Sequence, residues 1–451
     1  MSTTYIHRRR EAQNIWWAGV QAVQPDRCLP AGLRTAGTDL TFLQRFDRVL
    51  VLGGGKANAA MAQVLEQLLE AQRFPPERVY GVVNVPNEAV IPLKAIRLHA
   101  ARPMGVNYPT REAKQGTEEM LRLAEQAGPN ELLICLISGG GSALLPAPVP
   151  GITLEDKQQV TKLLHECGAT IQELNAVRKH LSRIKGGGLV RHFRGREVLS
   201  LIISDVIGDP LDVIASGPTA VDNSTFLDAI HVLEKYELLT AVPPTVRRYL
   251  ERGCEGAEPE TLKHLPRAAD GSERVRNLIV ASNSLALDAS LAVANTAGYR
   301  CINLGADIAG DTTGAAIHHA QQATRARSPD PVCLLSGGET TVVLPPQHGK
   351  GGRNQEFVLA FLNALGTEGM KGITVLSGGT DGEDGPTNAA GAIGDAELLL
   401  QAAAQGLKPA DYLARHDAYH FFEPLGGLLK TRLTRTNVMD LRVILIHPSD
   451  E

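Results

Sequence analysis

Val49-Leu50-Val51-Leu52 runs without a break into Gly53-Gly54-Gly55-Lys56, and Ala57, Met61, Val64, Leu65 and Leu68 then recur at helical spacing. An apolar run, a bare glycine turn and an amphipathic helix make the first half of a βαβ unit. The same order recurs at 132–137, which leads into Ser138-Gly139-Gly140-Gly141-Ser142. It recurs again at 332–335 before Ser336-Gly337-Gly338-Glu339, and at 373–376 before Ser377-Gly378-Gly379-Thr380-Asp381-Gly382. Turns this poor in side chains let backbone N–H groups face an anion, and the dipole of a following helix adds to the attraction. Four of them predict a phosphate-handling cleft and hence a nucleotide enzyme.

Outward from these turns, apolar runs at 79–83 and 198–203 continue the strand series. Helical stretches are expected at 112–126, 154–167 and 172–184, and Thr153 with Asp156 reads as a capping box. This alternation predicts an α/β fold with a parallel sheet flanked by helices. A second α/β region is expected from about Asn277, with a strand at 278–281 and Ser282 capping a helix at 285–296. The polar stretch 253–276 between them reads as a linker or surface insertion. Two domains, 1–240 and 241–451, follow from the length of 451 residues, and the helix-like segment 12–23 is free to pack on the second.

Composition narrows the class. Aromatic residues make up 4% of the chain and the formal net charge is −4, so neither a base-stacking surface nor a global basic field is expected, and nucleic acid is not an expected partner. Cys28, Cys135, Cys167, Cys254, Cys301 and Cys333 are scattered without a CxxC pair, which predicts reduced thiols and no zinc ribbon. No 18-residue apolar stretch occurs, and Arg8-Arg9-Arg10 is followed by polar residues rather than a signal-peptide core. The expectation is a cytoplasmic protein without a membrane partner, with room for a homodimer.

Two phosphate motifs are missing. Gly53-Gly54-Gly55-Lys56-Ala57 lacks the spacing and the hydroxyl of a Walker A loop, and Asn58 stands where a dinucleotide fingerprint has its third glycine. Lys56, after three glycines at the end of a strand, is the leading candidate to neutralise a transferring phosphoryl group. Gly53, Gly54, Gly55, Ser138, Gly139, Gly140, Gly141 and Ser142 are candidate anion cradles. In 175–188, Arg178, Ser182 and Lys185 fall on one face of the expected helix and suit a polyphosphate clamp, with three glycines following. Asp205 leaves a strand end and suits either Mg²⁺ or a substrate hydroxyl proton, while Asp209 before Pro210 suits either metal binding or a turn. Arg353 at a helix start resembles an anion clamp, and Glu339 could face the same site. Glu383 and Asp384 read as an exposed turn, and His180, His318 and His319 as helix-surface residues. No GxSxG elbow is present.

Taken in order, these segments resemble the class II glycerate 2-kinases, whose C-terminal part is called the MOFRL domain. The shared motifs are Gly-Gly-Gly-Lys-Ala at 53–57, Ser-Gly-Gly-Gly-Ser at 138–142, Asn-Ala-Val-Arg-Lys-His at 175–180, Ser-Asp-Val-Ile-Gly-Asp at 204–209, Ser-Gly-Gly-Glu at 336–339, Gly-Gly-Arg-Asn-Gln-Glu at 351–356 and Gly-Thr-Asp-Gly-Glu-Asp-Gly at 379–385. The resemblance implies a Rossmann-like N-terminal domain, a MOFRL-type α/β C-terminal domain and an active site in the cleft between them. It also implies ATP- and Mg²⁺-dependent phosphorylation of the 2-hydroxyl of D-glycerate or a related sugar acid, with catalytic roles for Lys56 and Arg353. The stretches 101–110 and 431–438 depart from the family pattern, and both gain arginines. A nicotinamide-dependent hydroxypyruvate reductase and a non-catalytic nucleotide- or sugar-phosphate-sensing module are the alternatives.

Overall fold

The computed structural model describes residues 3–37, 40–103, 106, 108–267 and 271–448. They form two compact units, one running from Cys28 to Val280 and one joining the residues up to Arg27 with those from Ala281 onward.

The first unit is built on a six-stranded sheet: β1 (Arg48–Gly54), β2 (Val79–Pro86), β3 (Ile96–Arg102), β4 (Glu131–Ile137), β5 (Glu197–Ile203) and β6 (Val275–Ala281). Its order is β3-β2-β1-β4-β5-β6, with β1 parallel to both β2 and β4. This is the doubly wound order, and the direction of winding reverses between β1 and β4. Ligands bind beyond the strand ends at such a reversal. The sequence expectation put the last of these strands in the second domain. It belongs to the first because Asn277 binds Thr219 at both ends of its amide, at 2.7 and 3.0 Å. The expected boundary at 240 therefore lies inside the first unit. So does the polar stretch 253–276, from which Glu260 accepts the Phe226 N–H at 2.8 Å.

Four helices, Leu154–Glu166, Ile171–His180, Phe226–Lys235 and Pro244–Cys254, bury a separate core of Val160, Leu164, Val177, Phe226, Leu233 and Leu250 beside the sheet. The Thr153–Asp156 capping box forms as expected. The helix expected at 172–184 stops at His180, so Arg178, Ser182 and Lys185 do not share a helical face.

The second unit carries a mixed sheet of β7 (Arg300–Asn303), β8 (Ile308–Asp311), β9 (Val332–Thr341), β10 (Ile373–Gly379), β11 (Gly391–Asp395), β12 (Leu428–Leu429) and β13 (Asp440–Ile446). The main path is β12-β11-β10-β13-β9-β7, and β13 runs antiparallel to both β9 and β10. Ser336-Gly337-Gly338-Glu339 is not a turn: it lies inside β9, where Gly338 pairs with Asp440 on one side and Ile308 on the other. Ser377-Gly378-Gly379 likewise ends β10. The glycines here admit neighbours. A Cβ at Gly337 would lie 1.6 Å from Asn283 Oδ1.

The helix Thr3–Ala22 packs on the helix Asn283–Thr296, where Ser290 Oγ donates to the Ile15 carbonyl at 2.9 Å. Trp16 is buried, and its indole N–H donates to the Gly378 carbonyl at 3.2 Å. Removing this side chain leaves a large cavity and an unmet carbonyl. Trp16→Ala should lower the stability of the second unit by about 3–5 kcal/mol. A urea titration with an unmoved midpoint would show that the helix packs without anchoring.

Candidate functional site

At the reversal between β1 and β4, the two glycine turns lean on each other. Gly53 and Gly54 lie in β1 and face Leu136 and Ile137 of β4. Gly53 has φ 153°, and a Cβ there would stand 1.9 Å from the Leu136 carbonyl oxygen. Beyond the strand, the Lys56 N–H donates to the Gly139 carbonyl at 2.8 Å and the Gly55 N–H to the Asn84 carbonyl at 3.3 Å. Ser138 Oγ accepts the Ala57 N–H at 3.0 Å and donates to Asn58 Oδ1 at 2.7 Å. Gly53, Gly54 and Gly55, the expected backbone cradle, let the strands and turns approach: a Cβ at any of them would meet Leu136, Leu145 or Ser138. The neighbouring amides and the Ser138 hydroxyl hold the turns together.

What this turn offers an anion is the Lys56 side chain, which is exposed. Gly140 is left-handed at φ 77°, and a Cβ there would lie 3.0 Å from Arg102 Nη2 and 3.4 Å from Lys56 Cγ. The bare Gly140 therefore leaves space between two cations. The helix Asn58–Ala71 begins here with no acidic residue in its first turn, so its positive end adds to theirs. Arg102, which sequence reasoning did not single out, is buried at the end of β3 and donates to the Val106 carbonyl. Burial pushes its guanidinium below the ordinary arginine range. Met104, Gly105 and Asn107 of the departing stretch lie outside the described residues.

On the other side of the same turn, Ser142 Oγ and Ser216 Oγ lie 3.0 Å apart, and Ser216 Oγ donates to Asn175 Oδ1 at 3.0 Å. Lys185 is buried and donates to the carbonyls of Ser142 and Ala215 at 3.2 and 3.3 Å. Its ammonium is held well below the ordinary lysine range by burial first, then by Arg178, Lys157 and Lys179. Arg178 and Lys185 do come together, through the fold and not through a helical face. Gly186 and Gly187 donate their N–H groups to the carbonyls of Ser216 and Gly217 at 3.0 and 2.7 Å, so these glycines bring the basic segment against that loop. Gly141 serves the same packing, because a Cβ there would lie 2.7 Å from Ala215 Cβ.

Asp205 sits half-buried just past β5. Asp209 has a left-handed backbone at φ 55° and donates its N–H to the Val206 carbonyl at 3.1 Å, the geometry of a turn. No cluster of three metal-ligating side chains occurs among the described residues. Mg²⁺ in phosphoryl-transfer sites is held by one or two carboxylates together with phosphate oxygens, so the half-buried Asp205 fits that ion.

In the second unit, Arg353 opens the helix Arg353–Gly369. Its Nε and Nη2 donate to Asp440 at 2.8 and 3.0 Å, and its Nη1 lies 2.8 Å from Glu339. These carboxylates raise the guanidinium further above its ordinary value against the opposing effect of burial. Asp384 is buried, not exposed as the sequence suggested. It accepts the N–H groups of Asn354 and Gln355 at 3.0 and 2.9 Å and so caps the helix that presents Arg353. Burial lifts its carboxyl to about 6. Asn354 ties Asp384 and Asp440 together, and the buried Arg442 stacks over Phe357 at 5.0 Å. Asp440, Asn354 and Arg442 were not singled out from sequence, although Asp440 lies in the recognisable run Thr436-Asn437-Val438-Met439-Asp440-Leu441. Of the arginines gained at 431–438, Arg432 and Arg435 are exposed and left-handed at φ 64° each.

The two units thus define an α/β protein with cation-rich strand ends of the kind that handles phosphorylated or anionic small molecules. Comparison with known proteins specifies the family. Residues 11–251 match a family model described as a domain of unknown function (DUF4147), and residues 332–440 match the MOFRL family. The glycerate kinase of Rattus norvegicus is 38% identical, over 97% of this chain and 93% of its own. The glycerate 2-kinase of Pyrococcus horikoshii is 36% identical, over 88% of this chain and 87% of its own. The crystal structure of a glycerate kinase from Thermotoga maritima superposes with a TM-score of 0.83 at 33% identity, covering 98% of this chain and 99% of the other. The chain belongs to the glycerate kinase family with a MOFRL region. Among the described residues, no helix is long and apolar enough to cross a membrane.

Two of the three histidines expected at the surface are core residues. His180 is buried against Glu260 at 3.0 Å. His319 is buried between the Ala315 carbonyl and Ser336 Oγ, and burial, with Arg442 and His318 nearby, lowers its imidazole to about 4. Above pH 6.5 this ring is neutral in both folded and unfolded chains. As the pH falls from 6.5 towards about 4, the unfolded chain takes up the proton and the folded one resists it, so stability is lost. The loss should be on the order of 2–3 kcal/mol. His319→Gln, which has no proton to take up, should show a shallower acid loss in denaturant titrations across that window. Equal slopes would remove His319 from the pH dependence.

Proposed function

We propose that this protein is a phosphotransferase that moves the γ-phosphoryl group of ATP to the 2-hydroxyl of D-glycerate or a related sugar acid. The observation that carries the reading is the placement of Lys56, beside Arg102 and the 138–142 turn, at the winding reversal of a sheet whose Asn58 replaces the third glycine of a dinucleotide fingerprint. The glycerate kinase and glycerate 2-kinase among the relatives support the acceptor and the reaction class. In the reaction the acceptor oxygen bonds to the γ-phosphorus, the bond from that phosphorus to the β–γ bridging oxygen breaks, ADP leaves and the hydroxyl proton passes to a carboxylate. Lys56 and Arg353 are assigned to neutralise charge on the transferred group. Each acts by position, since phosphoryl transfer needs little covalent help from the protein. Arg353 has two N–H groups beyond the three that engage Asp440 and Glu339. Asp205 is assigned to hold Mg²⁺ or take the hydroxyl proton, and Asp209 to assist the former; the ion, when bound, offsets the charge of the phosphate tail.

Lys56→Ala and Arg353→Ala should each lower kcat by roughly 10²–10³. Near-normal turnover in either would remove that residue from the chemistry. The reaction itself is tested by supplying ATP, Mg²⁺ and D-glycerate and locating the new phosphate by ³¹P NMR. ADP release without a phosphorylated C2 would reject the assignment. Consumption of NADH with hydroxypyruvate would favour the reductase, and nucleotide binding without turnover on any acid would favour the sensing module.

A further inference from the structure

The helix Ile171–His180 and its surroundings hold four buried or partly buried cations, and their counterions are unevenly shared. Lys179 has two carboxylates, Asp212 at 2.9 Å and Asp222 at 3.1 Å. The other three have none among the described residues. Lys185 is 2% exposed, and its donors meet only the Ser142 and Ala215 carbonyls and Ser216 Oγ. Lys157 is 6% exposed and donates to the Leu181 carbonyl at 2.9 Å. Burial holds the Arg178 guanidinium below the ordinary arginine range. The charged groups that bear on Lys185 are Arg178, Lys157 and Lys179, all of one sign. Like charges withdrawn from water without a counterion are unfavourable, and an anionic ligand entering the cluster would supply the missing charge.

We propose that Lys157, Arg178 and Lys185, with Ser142, Ser216 and Asn175, form the subsite that grips the carboxylate end of the acceptor acid. The proposal rests on the kinase reading for the identity of that acid, and it assigns to the acceptor a cluster that sequence reasoning gave to a polyphosphate. Two observations decide between them. First, a nucleotide tail arrives with a divalent ion, and three cations without a carboxylate repel that ion. Second, the cations adjoin a chain of neutral groups, Ser142 Oγ to Ser216 Oγ to Asn175 Oδ1, each step 3.0 Å. Such a chain matches a small molecule bearing hydroxyls beside its carboxylate. Ala215 and Ser216 hold left-handed backbones at φ 51° and 61°, an unfavourable conformation that here sets the Ala215 carbonyl on Lys185 and the Ser216 hydroxyl between Ser142 and Asn175. Lys56 and Arg102, on the other side of the 138–142 turn, are assigned to the phosphate tail.

The test is calorimetric titration of the full chain with D-glycerate and, separately, with MgADP, for the wild type and Arg178→Gln. Arg178 has no partner among the described residues to lose, so this variant should fold; a thermal melt checks it. Lys157→Met is the second variant. Arg178→Gln should weaken D-glycerate by roughly tenfold to a hundredfold and leave MgADP within about twofold. Weakened MgADP with unchanged acid would overturn the proposal in favour of a nucleotide clamp. No change in either ligand, in both variants, would leave the cluster a structural feature and also overturn it. If the wild type ignores D-glycerate but binds a different hydroxy acid that Arg178→Gln loses, the subsite stands and the glycerate reading falls.

Discussion

The Leu136 carbonyl oxygen occupies the place where a side chain on residue 53 would begin, and the first unit depends on that encroachment. A Cβ at 1.9 Å is excluded, so β1 and β4 can lie at their observed separation only with glycine at 53. Their closeness, at the winding reversal, lets the Lys56 N–H reach the Gly139 carbonyl. That bond fixes two turns from strands far apart in sequence as one surface. The pattern that looked like an anion cradle in sequence is first a packing device. Its chemistry comes from what the packing exposes, Lys56 and the gap at Gly140 through which Arg102 approaches.

Much of this was legible beforehand, for identifiable reasons. Strands buried on both faces read as unbroken apolar runs, so β1, β4 and β5 stood out. Capping residues marked the helices at Thr153 and Ser282 because their side chains must meet unpaired N–H groups. The errors share a cause as well. The glycine-rich run at 336–339 lies inside β9, while those at 53–54 and 378–379 end their strands, because a glycine that admits a neighbouring side chain is indistinguishable in sequence from one that makes a turn. The helical spacing of Arg178, Ser182 and Lys185 was a coincidence of sequence; the chain leaves the helix at His180, and Lys185 reaches the loop at 215–217 instead. Asp384 and His319 were assigned to the surface because an acidic turn and a paired histidine carry no periodic signal of burial.

The two units solve the burial of charge in opposite ways. Arg353 is clasped by Asp440 and Glu339, and the helix that carries it is capped by Asp384. That arrangement is complete without a ligand. It suits a group that must stand in one orientation when the reacting phosphate arrives, since preorganised charge avoids rearrangement at the moment of reaction. Asp384 at about 6 marks the limit of the arrangement, because a third carboxylate beside Asp440 is buried at a cost that Arg353 and two backbone N–H groups offset.

Lys157, Arg178 and Lys185 are incomplete by the same measure. Among the described residues nothing within their unit neutralises them, yet the helices that carry Lys157 and Arg178 share a well-packed core and the Ser142 and Ala215 carbonyls hold Lys185 in the loop that follows, so their position is imposed by the packing of Val177, Leu164 and Phe226 and by that loop rather than chosen by the charges themselves. A cluster held against its own repulsion gains most from an anion that enters it, because the ligand removes an unfavourable term as well as adding contacts. The same logic restricts what binds. An uncharged analogue of a hydroxy acid would reach the Ser142–Ser216–Asn175 chain and leave three ammonium and guanidinium groups still opposed. Selectivity for an acid over its neutral counterpart therefore follows from the charge the protein lacks, and discrimination among acids falls to the hydroxyl chain beside it.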